Sequence, residues 1–151
     1  SKTLGQAFMK ASIGAGNSIP FEGSVFISVN NSDKMDIIPL ARDLNEMGFS
    51  LIATTGTAKE LERNGLDVEH VFKVGEGRPN VVDEIKNGHI NLVINTPMGA
   101  RSRFDEEAIG CACIQYGILA ITTLSGANAI LRAIRSKQKP LQLDSLQNYH
   151  A

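Results

Sequence analysis

Short apolar runs alternate along this chain with stretches in which apolar residues recur every three or four positions. The runs are rich in β-branched residues and are bounded by Gly, Asn or Asp, which is typical of buried strands. They predict strands at Val25 to Val29, Phe49 to Ala53, Val68 to Val74, Leu92 to Asn95 and Ile118 to Ile121. The periodic stretches predict helices that end at Gly48, Gly65 and Gly88, one capped by Asp105 that runs to Gln115, and a last one from Ala127 to Ile134.

Pro39 lies inside the first of these helical patterns. Proline lacks a backbone N–H and is harmless only in the first turn of a helix. The pattern therefore leaves two alternatives open, a regular helix that starts near Asp36 or a helix that bends.

The order of the elements decides the fold class. Strict alternation of strands and helices implies right-handed crossovers and a parallel sheet covered by helices on both faces. We therefore predict a three-layer, Rossmann-like α/β fold with a five-stranded parallel sheet. Ligands of such sheets bind at the carboxyl ends of the strands, where the connecting loops meet.

The first 20 residues differ in character from the rest of the chain. Residues 4–13 carry apolar residues at helical spacing, and residues 14–20 form a connector of Gly, Asn, Ser and Pro. Such a helix fits the tail of a preceding domain better than the core that follows. We place the domain boundary near Pro20, with 1–20 as a linker or helix from that domain and 21–151 as the domain itself.

Length and composition limit the classes of protein that fit. The 151 residues suffice for one domain, and 42% hydrophobic with 21% charged residues is typical of a soluble globular protein. No apolar run approaches the roughly 20 residues that a membrane span needs, and a net charge of -1 argues against a nucleic-acid partner. Cys111 and Cys113 share a predicted helix without a Cys or His cluster, so neither a disulfide nor a zinc site is expected. These features favour a cytoplasmic protein that binds neither membranes nor nucleic acid.

The stretch from Ser50 to Lys59 predicts an anion site. An apolar strand there ends in a turn of Thr residues around Gly56, and a helix follows. The first N–H groups of a helix have no intrahelical partner and attract anions, while the hydroxyls of Thr54 and Thr57 can donate to phosphate oxygens. The same residues also fit an ordinary N-capped turn, and this stretch alone does not decide between the two.

Other polar residues follow the predicted strands and therefore share the same rim of the sheet. They include Lys73 after the third strand and Asn95 after the fourth. A lysine that faces a Thr-rich helix start, with an asparagine beside it, supplies the charge, hydroxyls and N–H donors that a phosphate group needs. We therefore predict a phosphate site at the carboxyl ends of the strands.

Several short motifs occur in a fixed order along the chain. They are Phe26-Ile-Ser-Val with Asp33-Lys34, Ala53-Thr-Thr-Gly-Thr-Ala58, Lys73-Val-x-Glu-Gly-Arg-Pro-Asn80, Asp83-x-Ile-Lys-Asn-Gly88, Ile94-Asn-Thr-Pro97 and Thr122-Thr-Leu124. Together they resemble the C-terminal regulatory domain of the large subunit of carbamoyl phosphate synthetase (also called synthase). The resemblance covers nearly the whole chain, since the start of the chain resembles the segment that leaves the second synthetase unit of that subunit.

The resemblance implies a methylglyoxal-synthase-like fold that binds a nucleotide monophosphate, UMP as inhibitor or IMP as activator, and catalyses no reaction itself. The effector-binding residues implied by the motifs are Lys34, Thr54, Thr57, Lys73 and Asn95, with Thr96 and Thr122 as further positions. The parent ligase, which serves pyrimidine and arginine synthesis, would use ATP, Mg²⁺ or Mn²⁺ and K⁺, whereas this fragment would hold no cofactor. Expected partners are the synthetase domains of the same chain, the small glutaminase subunit and other copies of the chain.

Two related enzymes share parts of these motifs. Methylglyoxal synthase moves protons on a triose phosphate with carboxylates after its third and fourth strands, and Glu76 is the only acid at those places here. The cyclohydrolase domain of a bifunctional purine enzyme has a Lys-x-Leu-His-Pro-x-x-His stretch that this sequence lacks. Glu106 and Glu107 are interpreted as a solvated helix face. We favour a regulatory domain, with a stand-alone methylglyoxal-synthase-like lyase acting on dihydroxyacetone phosphate as the alternative.

Overall fold

Five parallel strands form a single sheet in the computed structural model, which describes residues 19–99 and 103–138. The strands are β1 (Ser24–Ser28), β2 (Ser50–Ala53), β3 (Val68–His70), β4 (Leu92–Asn95) and β5 (Leu119–Ile121), in the sheet order β3-β2-β1-β4-β5. The helices are α1 (Lys34–Glu46), α2 (Thr55–Arg63), α3 (Val81–Lys86), α4 (Arg103–Tyr116) and α5 (Leu124–Gln138), and a short 3-10 helix (Asn31–Asp33) precedes α1. The predicted α/β fold with a five-stranded parallel sheet is confirmed.

Apolar side chains of the strands alternate between the two faces of the sheet. Val25 and Ile27 of β1 pack with apolar residues of α1, α2 and α5, whereas Phe26 packs with residues of α3 and α4 on the opposite face. All three side chains are fully buried. Strands covered on both faces are apolar at successive positions, which explains why they stand out in the sequence as continuous runs.

β3 is shorter than the sequence predicts. The prediction extended it to Val74, but the strand ends at His70, which lies opposite Ala53, the last residue of β2. β3 is an edge strand and can pair only with β2, and beyond Ala53 the chain turns into α2 and offers no further strand partner. Val71 still donates to the carbonyl of Ala53 (3.0 Å) before the chain leaves the sheet.

Three helices differ from the prediction at their ends. α1 begins at Lys34 and contains Pro39, so the alternative of a start near Asp36 is wrong. Asp105 lies within the first turn of α4 and is not its cap. α5 begins before the predicted Ala127, because Oγ1 of Thr123 accepts the N–H of Gly126 (3.0 Å) and so caps the helix earlier.

The helix predicted over residues 4–13 lies outside the described residues, and the boundary near Pro20 stays a prediction. Ile19 is buried and packs in the same cluster as α1 and α5. Cys111 is exposed, Cys113 is buried and both are free thiols. Across residues 19–99 and 103–138, no helix is long and apolar enough to cross a membrane.

Candidate functional site

A cleft opens at the carboxyl ends of the strands, between the segments that follow β1 and β4. The chain continues from β1 to α1 on one face of the sheet and from β4 to α4 on the other. Such a reversal is where parallel sheets bind ligands. Asn30 joins the two segments, because its backbone N–H donates to Oγ1 of Thr96 (3.0 Å) and its side-chain Nδ2 donates to the carbonyl of Pro97 (2.9 Å).

The cleft has two adjoining parts that differ in charge. The larger part, of about 280 Å³, is here called the basic chamber, and its lining includes Lys34, Thr54, Gly56, Thr57 and Lys73. The smaller part, of about 30 Å³, is called the acidic chamber, and its lining includes Ser28, Lys73, Asn95, Asp105 and Glu106. Thr54, Lys73 and Met98 line both, so the two chambers form one continuous cleft.

The N-terminus of α2 forms one wall of the basic chamber. The first backbone bond of this helix runs from the N–H of Ala58 to the carbonyl of Thr54 (2.8 Å). Thr54 stands at the N-cap position, but its side chain makes no capping hydrogen bond. Within the described part of the chain, the N–H groups of Thr55, Gly56 and Thr57 therefore have no acceptor. The side-chain capping that the sequence left as an alternative is not present.

Lys34 and Lys73 bring full positive charge to this wall. Nζ of Lys34 lies beside the first turn of α2, because a Cβ added at Gly56 would be 3.3 Å from it. Both lysine side chains are half-buried. In the described residues, neither ammonium group has a hydrogen bond or an ion pair with a carboxylate. The two charges are thus held next to the helix start without being neutralised by direct contact.

The hydroxyls of Thr54 and Thr57 are buried where the ends of β1 and β2 meet the start of α2. Oγ1 of Thr54 lies 3.2 Å from Oγ of Ser28, at the end of β1. Oγ1 of Thr57 accepts the backbone N–H of Val29 (3.3 Å), so its own hydroxyl proton is still available to a ligand. Thr57 therefore ties the end of β1 to the start of α2 while it faces the basic chamber.

The three remaining predicted residues have different positions. Asn95 lines the acidic chamber beside Lys73. Thr96 is buried and its hydroxyl holds the N–H of Asn30, so its place in the structure is to position the loop after β1. Thr122 is exposed at the end of β5 and lines neither chamber. Ligand contact by these residues stays a prediction.

Glu106 was misjudged from the sequence, and Asp105 was missed as a cleft residue. The prediction placed Glu106 on a solvated face, but it is half-buried, lines the acidic chamber, and its Oε1 accepts the N–H of Met98 (2.8 Å). Glu107 is exposed, as predicted. The signal that could have found the difference is helical spacing, because Asp105 and Glu106 lie four and three residues before the buried Ile109.

The surroundings of Asp105 disfavour the ionised form of its carboxyl group. Burial raises its pKa above the usual value of 3.8, and the nearby Glu76 and Glu106 raise it further, while Lys73 opposes the increase. No hydrogen bond holds the Asp105 side chain among the described residues. Asp105 and Lys73 thus both line the acidic chamber, and the charge of Lys73 favours the ionised form of Asp105.

Glu76, the acid that the sequence offered for a lyase, lies outside both chambers. It is exposed, and its Oε1 accepts the backbone N–H of Lys73 (3.2 Å), which closes the turn after β3. In the part of the chain that the structure describes, no group of His, Cys, Asp and Glu side chains could hold a metal ion. The described lining of the cleft therefore combines the lysines of the basic chamber with the carboxyl groups of the acidic chamber.

The family of the chain follows from comparison with known proteins. A family model described as the MGS-like domain matches residues 36–122, which is more than half of the chain. The chain therefore belongs to the MGS-like domain family, in which MGS stands for methylglyoxal synthase.

Among individual proteins, the chain is similar to carbamoyl phosphate synthase large chains. It is 45% identical over 149 residues to that of Archaeoglobus fulgidus, covering 97% of this chain and 14% of the relative. It is 46% identical over 138 residues to the C-terminal section of the large chain of Aquifex aeolicus, covering 91% of this chain and 26% of the relative. The resemblance predicted from the motifs is confirmed, and the chain spans a small part of the relatives it matches.

Solved structures confirm the fold. The crystal structure of methylglyoxal synthase from Elizabethkingia anophelis matches with a TM-score of 0.61 at 19% identity, covering 75% of this chain and 79% of that one. The crystal structure of ForH matches with a TM-score of 0.54 at 16% identity, covering 76% of this chain and 80% of that one. At such low identity these matches concern the fold alone.

Proposed function

We propose that this chain is the regulatory domain of a carbamoyl phosphate synthase large subunit and that it binds a nucleotide monophosphate, UMP or IMP, in the cleft. The observation that carries the proposal is the basic chamber, in which Lys34 and Lys73 lie beside the N-terminus of α2 without ion-pair partners among the described residues. Two uncompensated ammonium groups beside free N–H groups fit a dianionic phosphate. The relatives that are similar over nearly the whole chain are carbamoyl phosphate synthase large chains, which is why we assign the domain to that enzyme.

The phosphate would lie against the first turn of α2. There it would accept hydrogen bonds from the N–H groups of Gly56 and Thr57 and from the hydroxyls of Thr54 and Thr57, and it would meet the charges of Lys34 and Lys73. The nucleoside would extend from the basic chamber toward Asn95, and the base would lie outside the acidic chamber, whose volume of about 30 Å³ is too small to hold it.

Regulation would follow from linkage between the effector and the rest of the subunit. A ligand shifts the equilibrium between two states of an enzyme only by as much as its affinities for the two states differ. In this proposal UMP favours the less active state of the synthetase domains and IMP the more active state. Carbamoyl phosphate synthesis, with its ATP, Mg²⁺ or Mn²⁺, K⁺ and glutaminase subunit, belongs to the rest of that enzyme, and this domain does no chemistry.

Calorimetric titration of the 151-residue chain with UMP, IMP and inorganic phosphate tests the proposal. We expect both nucleotides to bind at one site and inorganic phosphate to compete with them, because all three would use the basic chamber. Uridine, which lacks the phosphate, should bind much more weakly. If neither UMP nor IMP gives a saturable heat of binding, the proposed effector site is wrong.

A lyase acting on dihydroxyacetone phosphate remains the second candidate, because Asp105 and Glu106 place carboxyl groups beside an anion site. These acids lie on α4, whereas the lyase motif places its acids directly after the third and fourth strands. Incubation of the chain with dihydroxyacetone phosphate should therefore release no methylglyoxal. Release that increases with protein concentration and is lost in Asp105→Asn would favour the lyase over the regulatory domain.

A further inference from the structure

The segment that carries Lys73 leaves the sheet after β3 and ends where α3 begins. Its base is closed by the carbonyl of Phe72, which accepts the N–H of Val81 (3.1 Å). Just inside this base, the N–H of Glu76 donates to the carbonyl of Lys73 (3.1 Å), and Oε1 of Glu76 accepts the N–H of Lys73 (3.2 Å). Lys73 therefore begins a tight turn, residues 73–76, within a loop that is closed at its base.

The ring of Phe72 packs directly on the backbone of this loop at Gly77. A Cβ added at Gly77 would lie 3.0 to 3.1 Å from three carbon atoms of the ring, which is closer than Cβ atoms ordinarily approach a neighbour. Gly77 does not have a positive φ, so its backbone conformation would accept another residue. The ring of Phe72, although 50% exposed, is therefore what leaves no room for a side chain at position 77.

The contact between Phe72 and Gly77 joins the two sides of the turn. Phe72 is the residue before the turn, and Gly77 is the residue after it. The ammonium of Lys73 has no hydrogen bond or ion pair among the described residues, so the backbone of the turn determines where this charge lies. A charged side chain that is held in place before a ligand arrives costs less to immobilise on binding than one on a mobile turn.

We infer that Phe72 and Gly77 are positioning residues of the cleft, whose contact holds the turn of residues 73–76 so that Lys73 meets the phosphate of the effector. Neither of the two residues belongs to the described lining of the basic or the acidic chamber, so they act through Lys73. Their effect on effector affinity rests on the proposed nucleotide site, whereas their effect on the position of Lys73 does not.

Calorimetric titration of the 151-residue chain with UMP tests the effect on affinity. Phe72→Ala removes the ring and should weaken UMP binding roughly three- to tenfold, because the turn and Lys73 must then be ordered when UMP binds. Phe72→Leu keeps an apolar side chain against Gly77 and should retain most of the affinity. Gly77→Ala should act in the same direction as Phe72→Ala, because the new methyl group pushes the ring off the loop.

Double variants distinguish positioning from a general loss of structure. In a Lys73→Ala background, Phe72→Ala should cost no further affinity for UMP, because the residue through which it acts is gone, whereas independent effects would add. Phe72→Ala combined with Gly77→Ala should bind UMP as Phe72→Ala does, because both changes break the same contact. Tyr116→Ala is the matched control, since Tyr116 is another exposed aromatic residue but lies at the end of α4 away from the cleft. It should leave UMP binding unchanged.

The position of Lys73 can also be measured without a nucleotide. The charge of Lys73 lowers the pKa of Asp105, while Glu76, on the same turn, raises it. Glu76→Gln keeps an acceptor for the N–H of Lys73 and removes the second charge. In this background Phe72→Ala should raise the pKa of Asp105, and Phe72→Leu should raise it less, as measured by NMR titration of the Asp105 carboxyl group.

An unchanged pKa of Asp105 in this comparison overturns the inference, whether or not UMP binds. UMP binding as tight in Phe72→Ala as in the unaltered chain, or losses that add in the Lys73→Ala background, overturns it and leaves the nucleotide site in place. If UMP does not bind the unaltered chain but the pKa increases as expected, the proposed function fails while the contact still positions Lys73.

Discussion

Nζ of Lys34 lies so close to the first turn of α2 that a Cβ added at Gly56 would come within 3.3 Å of it. Gly56 has a backbone conformation open to any residue, so its lack of a side chain is not required by the turn itself. A side chain there would instead crowd the space between the lysine and the helix start, where the proposed phosphate would lie, and the lysine would have to shift. A side chain at this position should therefore favour stability of the helix but oppose ligand binding.

Gly56→Ala should separate the effect on stability from the effect on ligand binding. Alanine is a better helix former than glycine, by up to about 1 kcal/mol, so the free energy of unfolding should stay the same or increase. The new methyl group should displace the ammonium of Lys34 and narrow the approach to the N–H groups, which should weaken UMP binding roughly tenfold. Urea unfolding and calorimetry measure the two effects on the same samples.

Gly110→Ala is the control for Gly56→Ala. Gly110 lies within α4, and apart from the backbone of α4 itself a Cβ added there meets no atom of the described residues within 4 Å. This variant should gain stability in the same way and bind UMP as the unaltered chain does. UMP binding that is equally tight in Gly56→Ala would show that the phosphate does not approach this turn.

Lys73→Ala should weaken every effector that carries a phosphate. Loss of one charged hydrogen-bond partner costs about 1.5 to 3 kcal/mol, which corresponds to a roughly ten- to hundredfold loss of affinity for UMP and IMP. Uridine has no charge for Lys73 to meet, so its weak binding should hardly change. Lys86→Ala, at an exposed lysine near the end of α3, should leave all affinities unaltered. If UMP and IMP bind Lys73→Ala as tightly as the unaltered chain at low salt, the phosphate site is elsewhere.

Thr57→Val should affect both the fold and the site, because its hydroxyl serves both. The Thr57 oxygen accepts the N–H of the buried Val29, and leaving that donor unsatisfied costs about 1 to 3 kcal/mol of stability. The lost hydroxyl proton should also weaken UMP binding, but less than the loss of Lys73, since a neutral donor contributes less than a charged one.

Thr57→Ser keeps the oxygen and should retain most of the stability and of the affinity. Urea unfolding of the two variants measures the first effect, and titration with UMP the second. A Val variant as stable as the Ser variant would show that the bond to Val29 does not hold β1 against α2.

The positions of the strands and of the basic chamber could be predicted because they depend on local sequence. Val25 to Val29 stands out as a strand because both faces of the sheet are covered. Thr54, Thr57 and Lys73 were expected on one rim because parallel strands end together, and Lys34 was implied by the resemblance. The structure brings all four together in one chamber.

The features that could not be predicted depend on packing between distant segments. The end of β3 is set by where β2 stops pairing, and not by Val71 to Val74 themselves. The role of Thr96 depends on the N–H of Asn30, which lies in the loop after β1. Likewise, Glu106 faces the cleft because Ile109 fixes the rotation of α4 against the sheet, and the run of acids indicates that rotation only through its spacing from Ile109.

Asp105 in the acidic chamber should make the stability of the domain depend on pH in a defined direction. Burial, followed by the charges of Glu76 and Glu106, raises the pKa of Asp105 above 3.8 in the folded state, although Lys73 opposes the increase. The folded protein then holds the Asp105 proton more tightly than the unfolded chain does. The contribution of this group to stability should therefore fall as the pH rises from 3.8 through the higher folded-state pKa, and stay constant above it.

Asp105→Asn removes this loss, so the variant should be more stable than the unaltered chain at neutral pH and no more stable below pH 3.8. Urea unfolding of both proteins across this range measures the difference. A stability gain in Asp105→Asn that is independent of pH would mean that the pKa of Asp105 is not raised in the folded state.

Because Lys73 is the neighbour that opposes the increase, Lys73→Ala should raise the pKa of Asp105 further, which NMR titration of the Asp105 carboxyl group measures directly. A pKa that stays the same in Lys73→Ala would mean that the charge of Lys73 does not act on Asp105.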